Sequence, residues 1–204
     1  MMSEMEIRTA RDEDVLELAQ LKSRHVRMVY RGFLPHPLLA YAVPDSYQDQ
    51  FRNWLHQDAF HLDVLVKNGT VQGYVVYGQE QAEPEFGLIQ EAALDMACDG
   101  GNYRVLYDHA LSALRAANFH QVHQWVLRDN FRLRFLLERF GFKADGTRRT
   151  VTFEGQQLQI ARYLFRKYLR TSQPFYDLIF CLSMFRCGIK YLIQVSLYLF
   201  LLFP

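Results

Sequence analysis

Apolar and polar positions recur along this chain in short runs, each with a readable period. Residues 5–9 suit a first strand, and Asp12, Glu13 and Asp14 then supply the negative charge that favours a helix start. Val15, Leu16, Leu18, Ala19 and Leu21 carry helical spacing to about Val26. Residues 30–35 form a turn-rich loop, and a second amphipathic helix runs through Tyr47, Phe51, Trp54 and Leu55. Strands at 62–67 and 71–77 flank Asn68 and Gly69, a pair that accepts the positive φ angles of a tight hairpin. A polar turn containing Pro84 leads into a long strand, 86–96. Leu106, Ala110, Leu111 and Leu114 share one stripe of a helix over 103–117, and a strand follows at 121–127. Strands at 142–153 and 157–165 close the pattern around Glu154 and Gly155. The order predicts an α/β chain with one twisted mixed sheet and helices on both faces.

The segment 124–142 carries the most information. Trp125 and Val126 suit a half-buried strand, and Asp129 and Asn130 offer side-chain acceptors to the free N–H groups of a helix start. Leu133, Leu136, Leu137 and Phe140 form an apolar stripe, with Arg132, Arg134 and Arg139 largely opposite. Gly141 suits the helix end, and Phe142 opens the next strand. Asn–x–Arg followed by Glu–Arg–Phe–Gly–Phe resembles the second signature segment of the GNAT superfamily of N-acetyltransferases. The resemblance covers about residues 5–168. It implies a twisted, mostly antiparallel sheet flanked by helices. It also implies acetyl-CoA as co-substrate and direct attack by the amine of a small molecule or peptide.

Such chemistry needs a phosphate cradle, a group that stabilises the thioester oxyanion, a base for the amine and an acid for the departing thiolate. In the superfamily the cradle is an Arg/Gln–x–x–Gly–x–Gly/Ala loop opening a helix. Counting back from the signature helix puts Cys98, Gly101 and Tyr103 at its defining positions. Gly100, Gly101 and Asn102 before a helix still make an anion nest, to which Arg104 adds charge. Asp99 opposes it, and the Tyr103 side chain crowds it. By the same resemblance the strand 86–96 receives the pantetheine arm through its backbone at Ala93, Leu94 and Met96, and Asn130 contacts that arm. On strict alternation Ile89, Glu91, Ala93 and Asp95 share a face, where apolar neighbours would make Glu91 a general base. The alternative role for Glu91 is a structural carboxylate. Position 137, where the family places a proton-donating Tyr, is Leu here, so a donor must come from elsewhere; Tyr103 and Tyr107 are near in chain order. Tyr30 and Phe33 belong to the loop that lies over the acceptor pocket in many members. The departures at Tyr103 and Leu137 leave a second reading open, a GNAT-like ligand-binding or interaction module without turnover.

Composition narrows the field further. With 23 basic and 22 acidic residues the net charge is +1, which builds no field for nucleic acid. The polar, acidic N-terminus does not read as a signal peptide. The three cysteines, Cys98, Cys181 and Cys187, have no metal-ligand spacing and fit a reducing cytoplasm. His120 and His123 are three apart on a strand, so they point to opposite faces and no metal site is expected. A boundary near 171–174 separates the domain, 5–170, from an apolar tail, 171–204. A helix over 191–203 rises only ~20 Å, short of the ~30 Å hydrocarbon core. Extending it back to Phe175 puts Arg186 and Lys190 near the middle, so packing on the domain or a homodimer partner is favoured over a membrane anchor.

Overall fold

The computed structural model describes residues 5–32, 34, 36–95, 98, 101–153 and 155–166. Strand β1 (Met5–Thr9) leads through an acidic turn into α1 (Val15–Val29), then α2 (His36–Ala40) and α3 (Asp45–His56). Strands β2 (Phe60–Lys67), β3 (Thr70–Gln79) and β4 (Gly87–Leu94) follow. The remainder is α4 (Asn102–Ala116), β5 (Gln121–Leu127), α5 (Phe131–Arg139), β6 (Lys143–Phe153) and β7 (Gln156–Arg166). Only α2 is additional to the sequence pattern; its 5 residues are too few to show a helical repeat.

One sheet of seven strands runs in the order β1-β2-β3-β4-β5-β7-β6. All neighbours are antiparallel except β4 and β5, which are parallel. Asn68 and Gly69 take φ of 52° and 79°, the left-handed geometry that matches a tight turn to twisted strands. Gly141 ends α5 at φ 93°, where a Cβ would be strained.

Each face of the sheet carries its own core. On one, Leu106, Tyr107, Ala110 and Leu114 of α4, with Leu137 of α5, pack against Val75, Tyr77, Ile89, Leu94 and Val122. On the other, Leu18 and Leu21 of α1 and Phe51 and Trp54 of α3 pack against Val64, Tyr74, Val76 and Ala93. Phe51 meets Tyr74 and Trp54 edge to face, at 5.1 and 5.5 Å between centroids.

An irregularity in β4 shapes the rest of the molecule. Val76 faces Glu91 and Tyr77 faces Ile89, which leaves Gln90 as an extra residue. Such a bulge bends its strand and shifts the alternation by one. Ile89 therefore does not share a face with Glu91 and Ala93, as strict alternation predicts; it drops into the α4 core, while Ala93 lies in the α1 core. Pairing of β4 with β5 is confined to Gly87 with Val122 and Leu88 with His123. Beyond Leu88 the two strands part. The apolar tail and the boundary before it lie outside the described residues, and among those described no helix is long and apolar enough to cross a membrane.

Candidate functional site

Where β4 and β5 part, a cleft of about 300 Å³ forms. Ala92 and Leu94 of β4 make one wall, and Asn130, Leu133 and Leu136 of the α5 segment make the other. His25 of α1 and Tyr103 of α4 reach in from the ends. The Asp95 N–H donates to Gln72 O at 2.7 Å, so by antiparallel alternation the polar backbone groups of Leu94 turn away from β3 toward the cleft. Those groups need partners. His25 Nδ1 lies 3.4 Å from Leu94 O, and a hydrogen bond joins the Tyr103 hydroxyl to the Leu94 backbone. Burial pushes the Tyr103 phenol up to about 12 and pushes the His25 imidazole down, so both are uncharged near neutrality.

Asn130 is 1% exposed and has two tasks. Its Oδ1 accepts the Leu133 N–H at 3.1 Å, which caps α5. That bond fixes the amide so that its NH₂ is left for the Tyr30 hydroxyl, with which it is hydrogen-bonded. Tyr30 borders the cleft and also a second cavity of about 790 Å³ between α1, α3 and the ends of β5, β6 and β7. Burial raises Tyr30 to about 12, so it stays a phenol.

Glu91 lines neither cavity. Its surroundings are also not the apolar ones expected from alternation. Lys22 Nζ donates to both carboxylate oxygens at 2.8 Å, and the Tyr74 hydroxyl donates to Oε1 at 2.6 Å. Lys22 also donates to Gln50 Oε1 at 2.7 Å and sits 4.9 and 4.8 Å from the ring centroids of Tyr47 and Trp54. Accepting a proton from a substrate would break this pair, so the geometry favours the structural carboxylate. Replacing Lys22 by Met is expected to destabilise the fold by about 2 kcal/mol, because it leaves a partly buried carboxylate with only the Tyr74 hydroxyl as donor. Adding Glu91→Gln to that variant should recover part of the loss. Urea unfolding measures both, and a loss below about 1 kcal/mol would show the pair to be incidental.

The other expected site residues divide. Leu94, Tyr103 and Asn130 reach the cleft, whereas Ala93 is buried on the opposite face. Gly101 caps α4 with φ −59°, outside the left-handed region, and Asn102 opens the helix. Arg104 is exposed and paired with Asp108 at 2.8 Å. Met96, Gly100 and Phe33 lie outside the described residues. Leu137 is fully buried in the α4 core, and the Tyr107 hydroxyl is committed to Gln124 Oε1 at 2.7 Å within that core. Neither can give a proton to the cleft; Tyr30 is a phenol that lines it. Sequence reasoning missed His25, Ala92, Leu133 and Leu136. Of these, Leu133 and Leu136 belong by spacing to the apolar stripe of α5, and only the tertiary fold brings them to the cleft.

Among known proteins, no family model matches the sequence and no curated protein matches it. The structure is similar to the PaiA N-acetyltransferase of Thermoplasma acidophilum in complex with coenzyme A. That likeness has a TM-score of 0.66 and 13% identity, and covers 80% of this chain and 99% of that one. The ribosomal-protein-alanine N-acetyltransferase of Brucella melitensis gives 0.62 at 18% identity, covering 79% and 99%. An N-acetyltransferase of Staphylococcus aureus Mu50 gives 0.59 at 20% identity, covering 80% and 99%. The chain has the GNAT fold.

One further group in this GNAT fold has a measurable consequence. His120 is exposed at a bend, whereas His123 on β5 is 1% exposed. Neither ring nitrogen of His123 has an aligned hydrogen bond among the described residues, although Nε2 lies 3.4 Å from Glu80 Oε2. Burial lowers its pKa from the usual 6.5; Glu80 opposes that shift and Arg162 adds to it. The unfolded chain therefore takes up this proton more readily than the folded one. Stability is complete above pH 6.5 and falls as pH drops through that value toward the lower folded pKa. Each such group contributes up to about 1.4 kcal/mol per pH unit. The melting temperature should fall between pH 7.5 and 5.5, and His123→Leu should flatten that slope, with His25 supplying the rest. An unchanged slope in the variant would assign the effect elsewhere.

Proposed function

We propose that the protein is an acetyl-CoA-dependent N-acetyltransferase working by direct attack of an amine on the thioester. The observation that carries this reading is Tyr30, which borders both the cleft and the larger cavity and is bonded to Asn130. The cleft fits a pantetheine arm. It is narrow, apolar along Leu133 and Leu136, and polar at the Leu94 backbone, whose groups an amide chain would take over from His25 and Tyr103. The first N–H groups of α4, with Arg104 and Arg132, suit the phosphates. Acetyl-CoA supplies the acyl group and the thiol that leaves.

The residues of the chain then position and move one proton. The larger cavity holds the amine against Tyr30. As the C–N bond forms, the nitrogen gains positive charge and becomes acidic. Tyr30 Oη takes that proton while giving its own to the sulfur, as the C–S bond breaks. The phenol ends as it began, which suits a group whose pKa of about 12 keeps it protonated throughout. Glu91 holds Lys22 and the wall of Tyr47 and Trp54 in place.

Calorimetric titration of the full chain with acetyl-CoA should give a Kd between about 10⁻⁶ and 10⁻³ M, and amines should then release free thiol. Neither heat nor thiol would remove the assignment. Binding without turnover, the second reading, is favoured by the Tyr103 ring in the cleft and by Leu137 in the core. It requires heat on titration but no thiol with any amine.

A further inference from the structure

We propose that the larger cavity selects, as acceptor, a primary monoamine on an uncharged aromatic or apolar body, and disfavours polyamines and amino acids. This rests on the transferase reading for its turnover, and on the cavity alone for its binding.

The cavity, about 790 Å³, has the size of a small-molecule site. Its body is aromatic. Tyr47 and Trp54 form a wall, and Tyr41 and Phe153 meet edge to face across the rim at 6.4 Å between centroids. No charged side chain lines it among the described residues. Its polar groups are neutral amides and hydroxyls; Gln50 and Asn53 lie three residues apart on α3, and Gln57 follows as the residue that caps its C-terminus. Because Gln50 Oε1 accepts from Lys22, the Gln50 amide N–H groups are left for an occupant.

The charges behind the wall sharpen the preference. The three protons of Lys22 are engaged by Gln50 and the two oxygens of Glu91, so a substrate carboxylate finds no free cation there. The same ammonium lies 4.9 and 4.8 Å from the ring centroids of Tyr47 and Trp54. A second ammonium on a substrate would compete for rings that already hold a cation, and would meet its repulsion. The reacting amine attacks as the neutral base and leaves as an amide, so it alone needs no permanent counter-charge. A body without charge loses nothing on entering; one with a charge leaves it unpaired.

The test uses the full chain, acetyl-CoA and free-thiol release with three acceptors: 2-phenylethylamine, L-phenylalanine and spermidine. L-Phenylalanine has the same ring and amine plus a carboxylate. The expected kcat/KM for 2-phenylethylamine exceeds that of the other two by about 100-fold, the discrimination an unpaired charge gives. Equal or better use of either charged acceptor overturns the proposal. Gln57→Glu should narrow the gap to spermidine by at least about 10-fold by placing a counter-charge in the cavity, and an unchanged ratio counts against it. If no amine is turned over, quenching of tryptophan fluorescence separates the two readings. Saturable quenching by 2-phenylethylamine but not by spermidine keeps the cavity assignment while the transferase reading falls. Quenching by neither, or by both alike, removes the cavity assignment too.

Discussion

Tyr30→Phe is expected to lower kcat by about 10²-fold, the usual worth of a positioned proton donor, with KM for acetyl-CoA nearly unchanged. The ring that walls the two cavities is retained in this variant; only the hydroxyl is lost. If Tyr30 merely held Asn130, its loss would loosen the α5 cap and weaken cofactor binding, so KM would move and kcat would not. The leaving group supplies a second discriminator. An acetyl thioester of an acidic aromatic thiol departs as a stable thiolate and needs little proton help. Wild type and Tyr30→Phe should therefore use it at similar rates, although they differ with acetyl-CoA. An equal deficit with both thioesters would assign Tyr30 a structural role, and an unchanged kcat with acetyl-CoA would remove it from the reaction.

The placement of Tyr30 depends on tertiary contacts rather than on local sequence signals. The α5 segment was legible because its signals are local: Asn130 caps, Leu133 and Leu137 repeat at helical spacing, and Gly141 stops the helix. The Asn68 and Gly69 hairpin and the strand order around it were legible for the same reason. Tyr30 and the larger cavity are assembled by tertiary contact among α1, α3 and the ends of β5, β6 and β7, and no local pattern registers that. The bulge at Gln90 was also silent, since an extra residue leaves no mark in an alternating run. It nevertheless puts Ile89 on the other face, close to where the pairing of β4 with β5 ends. One further signal lies in α1. Val15, Leu18, Ala19 and Lys22 fall at i, i+3, i+4 and i+7, so a lysine sits on the buried stripe of α1. A charge in such a place needs a buried partner. That partner is Glu91, 69 positions away, and the pairing supports the structural role that stood beside the base role its own strand suggested.

Gly101→Glu should abolish acetyl-CoA binding, with affinity lost by more than about 10²-fold, while circular dichroism and the unfolding midpoint hold. Gly101 is the N-terminal cap residue of α4, is exposed, and has φ −59°, which any residue adopts without strain. A carboxylate near a helix N-terminus interacts favourably with the helix dipole, so the fold has no reason to suffer. The same field is what draws a phosphate, and a fixed carboxylate there both competes for the N–H groups of the first turn and repels the ligand. Folding and binding thus respond in opposite directions to one substitution, which a general loss of structure cannot imitate. The salt dependence of binding provides a check on the mechanism. Affinity of the wild type should weaken as ionic strength rises and screens the charges of Arg104 and Arg132. If Gly101→Glu binds acetyl-CoA as the wild type does, the phosphates lie elsewhere, and only the cleft between β4 and β5 would remain as the cofactor site.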